Sequence, residues 1–220
     1  MAVDEALLDA AIQRNLLCLR LYRWSEPTVS LGWFQRQLTT ADLQDPLSTL
    51  PRVSRLSGGG AILHHHELTY SCVIPPGHES IRPPAKLYEI AHEEIISALK
   101  AQRIPAQMRG DCDHKSELPF LCFNRWDARD VACERFKVVG SAQRRRKGAV
   151  LQHGSILLRT SKFAPQLPGI RDLHPGFDEN AFATRFVEAL AVRLGDSPRR
   201  CPLPVDVHNC AVKLQAGDDI

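Results

Sequence analysis

The stretch that decides the fold is Arg55-Leu56-Ser57-Gly58-Gly59-Gly60-Ala61-Ile62-Leu63-His64, followed closely by Glu67-Leu68-Thr69-Tyr70-Ser71. Alternating side chains around the glycines predict a strand, a glycine loop, a second strand, a turn and a third strand. Three consecutive glycines leave backbone N–H groups bare, so an anion or a carbonyl oxygen can approach them closely. The alternative interpretation of these three glycines is a flexible hairpin turn without a binding role. The run is neither GxGxxG opening a helix nor GxxxxGK[ST], which excludes Rossmann and P-loop sites.

Outward from this centre, predicted strands and helices alternate. Helical spacing of apolar residues marks 3–17, 87–99 and 180–194, and short alternating runs mark strands at 19–22, 28–32, 53–55, 61–64, 68–74, 106–108, 136–140 and 154–158. The pattern predicts a mixed α/β (α+β) protein with one domain at 1–195. Prolines at 198, 202 and 204 interrupt regular structure beyond it, which predicts a loosely ordered tail at 196–220.

The overall composition excludes several classes of protein. The 220 residues include 28 Lys and Arg against 25 Asp and Glu, and the resulting net charge of +3 is too small to indicate a dedicated nucleic-acid or membrane-surface protein. No apolar run approaches the roughly 20 residues of a membrane span. The first residues are acidic (Asp4, Glu5, Asp9) and lack the basic start of a signal peptide. We therefore expect a cytoplasmic protein with neither nucleic acid nor membrane as a partner.

The cysteines and histidines indicate reduced thiols and no metal site. There are seven cysteines, at 18, 72, 112, 122, 133, 201 and 210, without a CxxC pair. An odd number at irregular spacing favours free thiols over disulfides or structural zinc. Within the run His64-His65-His66, adjacent residues of an extended chain point to opposite faces, so at most two of them converge.

Two basic features follow in the segment Lys137-Val138-Val139-Gly140-Ser141-Ala142-Gln143-Arg144-Arg145-Arg146-Lys147. A lysine inside an apolar strand either extends its charged end to solvent or is directed into a site. The four-residue basic run is either a solvated turn or a docking patch for an acidic partner.

Several motifs, in this order along the chain, resemble the biotin/lipoate protein ligase and lipoyl/octanoyl transferase superfamily. The glycine segment resembles its signature, the segment from Lys137 to Arg144 its lysine motif, and Leu151-Gln152-His153-Gly154-Ser155 the strand after that motif. Asp4-Glu5-Ala6-Leu7-Leu8 and Leu31-Gly32-Trp33-Phe34-Gln35 are similar to its first helix and second strand. The resemblance covers most of 3–160. It implies a ligase-like catalytic domain with a class II aminoacyl-tRNA synthetase/biotin synthetase-like mixed sheet flanked by helices.

Within the superfamily, Cys122-Phe123 resembles the cysteine motif of the Gram-positive-type octanoyltransferase. Ligases more often carry an adjacent Asn-Asp pair in this stretch, whereas Asn124 and Asp127 are separated here. A buried structural thiol is the alternative for Cys122. Compared with the family, the chain begins at the first helix, without the strand that usually precedes it. Its C-terminal part has no room for the accessory domain of a ligase.

The resemblance implies a role for each motif. Cys122 is the nucleophile, and Lys137 supplies the positive charge that a weakly ionised thiol needs. Lys137 and the N–H groups of the glycine loop, or of Gly140 and Ser141, stabilise the oxyanion. His64, Tyr70 and Ser71 line an apolar slot for the acyl chain. The full set of implied substrate-binding residues is Arg55, Ser57, Gly58, Gly59, Gly60, His64, Tyr70, Ser71, Gly140, Ser141, Ala142, Gln143, His153 and Gly154.

Three functions follow as alternatives. The first is transfer of an octanoyl group from acyl carrier protein, through a Cys thioester and without a cofactor, to lipoyl domains of 2-oxoacid dehydrogenases or the glycine cleavage H protein. The second is an ATP-dependent lipoate–protein ligase, with ATP and Mg as its cofactors and Cys122 incidental. The third is a non-catalytic member that binds lipoyl domains. In the first, Arg144, Arg145 and Lys147 dock the acidic partners.

Overall fold

The computed structural model describes residues 1–110, 120–125, 127–195 and 199–216. The strands within these residues are β1 (Cys18–Tyr22), β2 (Thr28–Leu31), β3 (Arg52–Ser54), β4 (Ile62–His64), β5 (Glu67–Ile74), β6 (Ala106–Met108), β7 (Val131–Cys133), β8 (Phe136–Arg146) and β9 (Ala149–Leu157). Six of them form an antiparallel sheet in the order β1-β5-β9-β8-β7-β6. The other three form a small mixed sheet in the order β3-β2-β4, in which β2 is parallel to β3.

Helices cover both faces of the large sheet. They are α1 (Ala2–Arg14), α2 (Lys86–Ala101), α3 (Ile170–Leu173), α4 (Glu179–Arg193) and α5 (Val205–Ala216). Side chains of α2 and α4 share one core with Tyr70 and Ile74 of β5. On the opposite face, α1 and α5 share a second core with Val73. This division follows from the period of two along a strand, which sends Val73 and Ile74 to opposite faces.

A third apolar cluster supports the small sheet and the glycine loop. Val29, Leu31 and Leu63 of the sheet pack there with Ala61 and Leu121. Ala61 and Leu121 also form an isolated parallel bridge. The small sheet therefore fixes the end of the glycine loop against the segment that carries Cys122.

The structure shows the backbone of the basic run and corrects the expected tail. The sequence left two interpretations of the basic run, a solvated turn or a docking patch. In the structure its three arginines belong to β8, which pairs with β9 as far as Arg146 opposite Ala149. A helix, α5, lies where a loosely ordered tail was expected, and it buries Val207 and Ala211 against α1. The three prolines precede this helix, so they delay regular structure without preventing it.

Candidate functional site

A narrow slot lies between the glycine loop, the segment around Cys122, and strands β8 and β9. Many of the sequence-predicted residues line it. The lining residues are Met1, Arg55, Gly58, Gly59, Ile62, His64, Thr69, Cys122, Phe123, Gly140, Ser141, Ala142, His153, Gly154 and Ser155. The slot thus brings the glycine, cysteine and lysine motifs to one place.

Other predicted residues stand behind the wall of the slot. Tyr70 and Ser71 were expected to line it, but neither does among the described residues. Tyr70 faces the core of α2 and α4, because strand alternation places it opposite Thr69, which does reach the slot. Ser57 and Gly60 are buried behind the loop, and Gln143 lies in a neighbouring groove.

Cys122 is held against the glycine loop by backbone hydrogen bonds. It begins a single 3-10 turn, Cys122–Asn124, and its N–H donates to Ala61 O at 2.7 Å. The N–H of Ala61 in turn donates to Phe120 O at 3.1 Å. A Cβ on Gly59 would stand 3.9 Å from the Cys122 sulfur, and Gly59 has a φ of +94°, which side chains rarely adopt. Glycine at this position lets the loop backbone approach the half-buried thiol.

The buried guanidinium of Arg55 organises the glycine loop from inside. Its Nη2 donates to Gly58 O at 3.0 Å and to Gly60 O at 2.5 Å, and its Nη1 donates to Ser30 O at 2.8 Å. Burial lowers the pKa of Arg55, and the charge interaction with Cys122 opposes that shift. Arg55 therefore acts twice, because it shapes the loop and puts a positive charge near the cysteine.

Lys137 reaches the cysteine from its backbone side. Its Nζ donates to Cys122 O at 3.2 Å and forms an ion pair with Asp130 Oδ2 at 2.7 Å. A Cβ on Gly140 would come within 2.7 Å of Lys137 Cε and 3.1 Å of Nζ, so glycine there leaves room for the lysine side chain. Burial raises the pKa of Asp130, and the nearby lysine charge opposes that rise. The lysine is thus directed into the site.

A buried polar network supports the outer end of the slot. His64 Nε2 lies 2.7 Å from Ser30 Oγ, and His64 Nδ1 lies 2.6 Å from Glu67 Oε1. The ring of His64 stacks on Trp24 with centroids 4.1 Å apart. His65 and His66 stack on each other with centroids 3.6 Å apart. No group of metal-ligating side chains that could hold an ion occurs among the described residues.

His153 links β9 to the glycine loop and to α1. Its Nε2 lies 2.5 Å from Ser57 Oγ, and its Nδ1 lies 3.7 Å from Asp4 Oδ2. Burial lowers the pKa of His153, while Asp4 opposes the shift. Burial alone would raise the pKa of Asp4, but His153, the N-terminal amine and Arg20 together hold it below its usual range. An acidic residue of α1 thereby fixes the loop through His153.

A second chain of hydrogen bonds runs behind Ser141. His92 Nδ1 lies 2.5 Å from Arg129 O and His92 Nε2 lies 2.6 Å from Ser141 Oγ, which is 2.7 Å from the hydroxyl of Tyr70. A carbonyl can only accept, so Nδ1 carries the proton and Nε2 accepts from Ser141. Burial lowers the pKa of His92 to about 4, which keeps the ring neutral at pH 7.

The residues of the basic run have different surroundings. Arg146 pairs with Glu5 at 3.3 Å and Asp9 at 2.5 Å, so it ties β8 to α1. Arg144 and Arg145 line a groove beside the slot. Lys147 is exposed in the turn before β9, with a φ of +47°.

Sequence reasoning missed three supporting residues, namely Asp4, His92 and Asp130. Each is buried and acts through a residue that had been singled out. For Asp4 and His92 the signal was a polar residue at a position that the helix buries, whereas Asp130 lies just before β7. His92 shows this, because it lies between the apolar positions 91 and 95 of α2.

These features define a mixed α/β fold in which a cysteine and a lysine meet beside a glycine loop. Residues 1–171 match the family model of the lipoyl protein ligase A/B catalytic domain. This match covers all nine described strands together with Cys122 and Lys137. The chain therefore belongs to the lipoyl protein ligase A/B catalytic domain family.

Three curated relatives of this chain carry the same protein name. The chain is similar to proteins named Octanoyltransferase LipM from Moorella thermoacetica (37% identical over 169 residues), Clostridioides difficile (35% over 163) and Geobacillus kaustophilus (34% over 167). Each match covers 72% of this chain and 60% of the relative. The chain thus spans less than two thirds of the length of these proteins.

Solved structures confirm the fold. A lipoate-protein ligase A bound with ATP aligns with a TM-score of 0.75 at 20% identity, covering 97% of this chain and 87% of that one. A bipartite lipoate protein ligase from Thermoplasma acidophilum aligns with a TM-score of 0.72 at 19% identity, covering 97% and 85%. The expected class II aminoacyl-tRNA synthetase/biotin synthetase-like fold is therefore confirmed. Within the described residues, no helix has the length and apolar character to cross a membrane.

Proposed function

We propose that this protein transfers an octanoyl group from acyl carrier protein to a lipoyl-domain lysine through a thioester on Cys122. The observation that carries the proposal is the position of Cys122, on the wall of the slot and hydrogen-bonded to the glycine loop. Similarity to proteins named as octanoyltransferases supports it.

We assign the slot to the acyl chain of the substrate. Its wall includes the apolar residues Ile62, Phe123 and Ala142. Burial of each methylene contributes about 0.8 kcal/mol, so a slot of fixed length selects for chain length by several kcal/mol.

In the first step, the sulfur of Cys122 attacks the thioester carbonyl of the octanoyl carrier. A new C–S bond forms at Cys122, the C–S bond to the carrier breaks, and the cysteine proton leaves on the carrier thiol. Negative charge develops on the carbonyl oxygen in the transition state. In this proposal the positive charge of Arg55 and the N–H groups of the glycine loop stabilise that oxygen, and removal of one oxyanion donor typically costs about 10²–10³ in rate.

In the second step, the neutral amine of the acceptor lysine attacks the thioester on Cys122. An amide bond forms, the C–S bond to Cys122 breaks, and the proton lost by the amine returns to the sulfur. Lys137 holds the carbonyl of Cys122 through both steps, so its positive charge stays beside the reacting thioester.

The proposal also covers the acceptor domains, the cofactor requirement and the cellular compartment. The acceptors are lipoyl domains of 2-oxoacid dehydrogenases or the glycine cleavage H protein, the reaction needs no cofactor, and it takes place in the cytoplasm. Arg144, Arg145 and Lys147 attract the acidic carrier.

The test is an incubation of the protein with octanoyl-acyl carrier protein and an apo lipoyl domain, with and without ATP and free lipoate. We expect octanoylation of the lipoyl domain without ATP. Modification that requires ATP and lipoate would assign a ligase instead, and binding of the lipoyl domain without modification would assign a non-catalytic member.

A further inference from the structure

A second groove continues from the glycine loop. Its wall includes Trp33, Gly58, Tyr88, Arg129, Arg144 and Arg145. Gly58 lines both this groove and the slot, so the groove and the slot are neighbours at the glycine loop. The groove has a volume of about 480 Å³, which is within the range of small-molecule sites.

Two cations in this groove are held in place but not neutralised. Arg145 donates to three neutral acceptors, namely Ile81 O at 3.1 Å, Pro84 O at 3.3 Å and Gln143 Oε1 at 3.2 Å. The guanidinium of Arg144 lies 4.8 Å from the centre of the Trp33 ring. Within the described ranges, neither arginine has a carboxylate partner.

The strand pairing explains how both arginines reach the same groove. β7 pairs with β8 at residues 136 to 139, and β8 then continues with β9 as far as Arg146. Neighbouring side chains of a strand point to opposite faces. At Arg144 and Arg145, however, β8 has no described strand partner on the edge away from β9, and both side chains line the groove there, Arg144 beside Trp33 and Arg145 at the carbonyl of Pro84.

An acyl carrier presents its thioester at the end of a flexible phosphopantetheine arm, which has two amides and a phosphate. When the carbonyl is at Cys122 and the octanoyl chain is in the slot, the arm has to leave along another path. Arginines bind phosphate well, because the planar guanidinium offers paired donors. The other substrate brings a lysine amine, which two unpaired arginines disfavour.

We propose that the groove binds the phosphopantetheine arm of the acyl carrier, with its phosphate at Arg144 and Arg145. The amides of the arm lie against Trp33 and Tyr88, and the arm meets the glycine loop at Gly58. This assignment rests on the proposed function, since it takes an acyl carrier as the donor.

The test measures affinity for the arm itself by calorimetry, with the full chain and two ligands that differ only by the phosphate. The ligands are S-methyl-4′-phosphopantetheine and S-methyl-pantetheine, whose blocked sulfur prevents acyl exchange. We expect the phosphorylated ligand to bind about three- to tenfold more tightly, the range for one or two partly exposed charged contacts. Arg145→Gln is expected to reduce this preference to less than about twofold.

Two further variants make the result decisive. Arg144→Gln removes the other cation without touching the backbone contacts of Arg145, and we expect it to reduce the preference as well. The control is Lys100→Gln, which removes one charge from the last turn of α2, about 18 Å along the helix from Tyr88. It is expected to keep the preference of the wild type.

Equal affinity for the two ligands in the wild type, or an unchanged preference in both arginine variants, would overturn the groove assignment. Octanoyl transfer in that case would show that the proposed function survives without it. Conversely, failure of the wild type to transfer from octanoyl-acyl carrier protein would overturn the proposed function, whatever the calorimetry shows.

Discussion

Lys137 Nζ lies 2.7 Å from Asp130 Oδ2, and both side chains are almost completely buried. The lysine reaches the Cys122 carbonyl with its charge already paired. A buried ion pair contributes little net stability, but loss of one partner is costly because the other charge stays behind without compensation. The pair therefore positions Lys137 and also makes the fold depend on it.

Lys137→Met is expected to abolish transfer and to reduce the free energy of unfolding by about 3–5 kcal/mol, because Asp130 is left buried and unpaired. Urea unfolding and an octanoylation assay measure the two effects. The double variant Lys137→Met with Asp130→Asn removes the stranded charge and is expected to recover much of the stability. It should still lack activity. Recovery of activity in the double variant would show that the lysine has no direct role in transfer.

The order of the main motifs was predictable from the sequence because each one is local. Three glycines between alternating strands define the loop, and a lysine in an apolar strand marks the site. The partners of these motifs were not predictable, because they meet through the sheet. Asp4 reaches His153 from the other end of the chain, and nothing near either residue in the sequence connects them.

The basic run and the helix α5 could not be predicted from sequence patterns. The basic run could be a solvated turn or a patch because its side chains are all polar, but its backbone completes hydrogen bonds with β9. Hydrogen bonds between backbones do not depend on the type of side chain. A strand whose side chains face solvent therefore shows no hydrophobic alternation in its sequence. The helix α5 was not expected because prolines at 198, 202 and 204 precede it, and its burial of Val207 and Ala211 depends on the presence of α1.

His92 makes stability depend on pH in a defined window. Its pKa falls from 6.5 to about 4 in the folded protein because of burial, against the opposing carbonyl of Arg129. Between these values the unfolded chain binds the proton more readily, so the stability present above pH 6.5 is lost as the pH falls towards 4. The loss amounts to about 3 kcal/mol, at about 1.4 kcal/mol per pH unit.

The measurement is the free energy of unfolding in urea from pH 4 to 7, for the wild type and for His92→Gln. Charges near the ring, from Lys137, Asp127 and Arg129, are the same in both proteins. The variant is expected to show a shallower pH dependence in this window. Parallel curves for the two proteins would mean that His92 is not the group responsible.

Arg144, Arg145 and Lys147 are also expected to speed encounter with the acidic carrier, in addition to the phosphate contact proposed for the first two. Arg144, Arg145 and Lys147 changed together to Ser should raise KM for octanoyl-acyl carrier protein and flatten its dependence on salt, with little change in kcat. Charges at a surface are screened beyond about 8 Å at physiological salt, so they act mainly on approach. Steady-state kinetics at several salt concentrations test this. An unchanged salt dependence would leave the run without a role in docking.

The most direct prediction concerns Cys122. Octanoyl-acyl carrier protein alone should leave one octanoyl group on the protein, sensitive to hydroxylamine and located on Cys122 by peptide mass spectrometry. Cys122→Ser is expected to form no such adduct and to lose transfer. A serine hydroxyl is far less ionised than a thiol, so it needs a base, and none is evident beside it in the described part of the chain. Two other thiols serve as internal controls. Cys201 is exposed and reports nonspecific acylation, whereas burial raises the pKa of Cys133 to about 11, which disfavours its reaction. Octanoyl on Cys133, or full transfer by Cys122→Ser, would contradict the assignment.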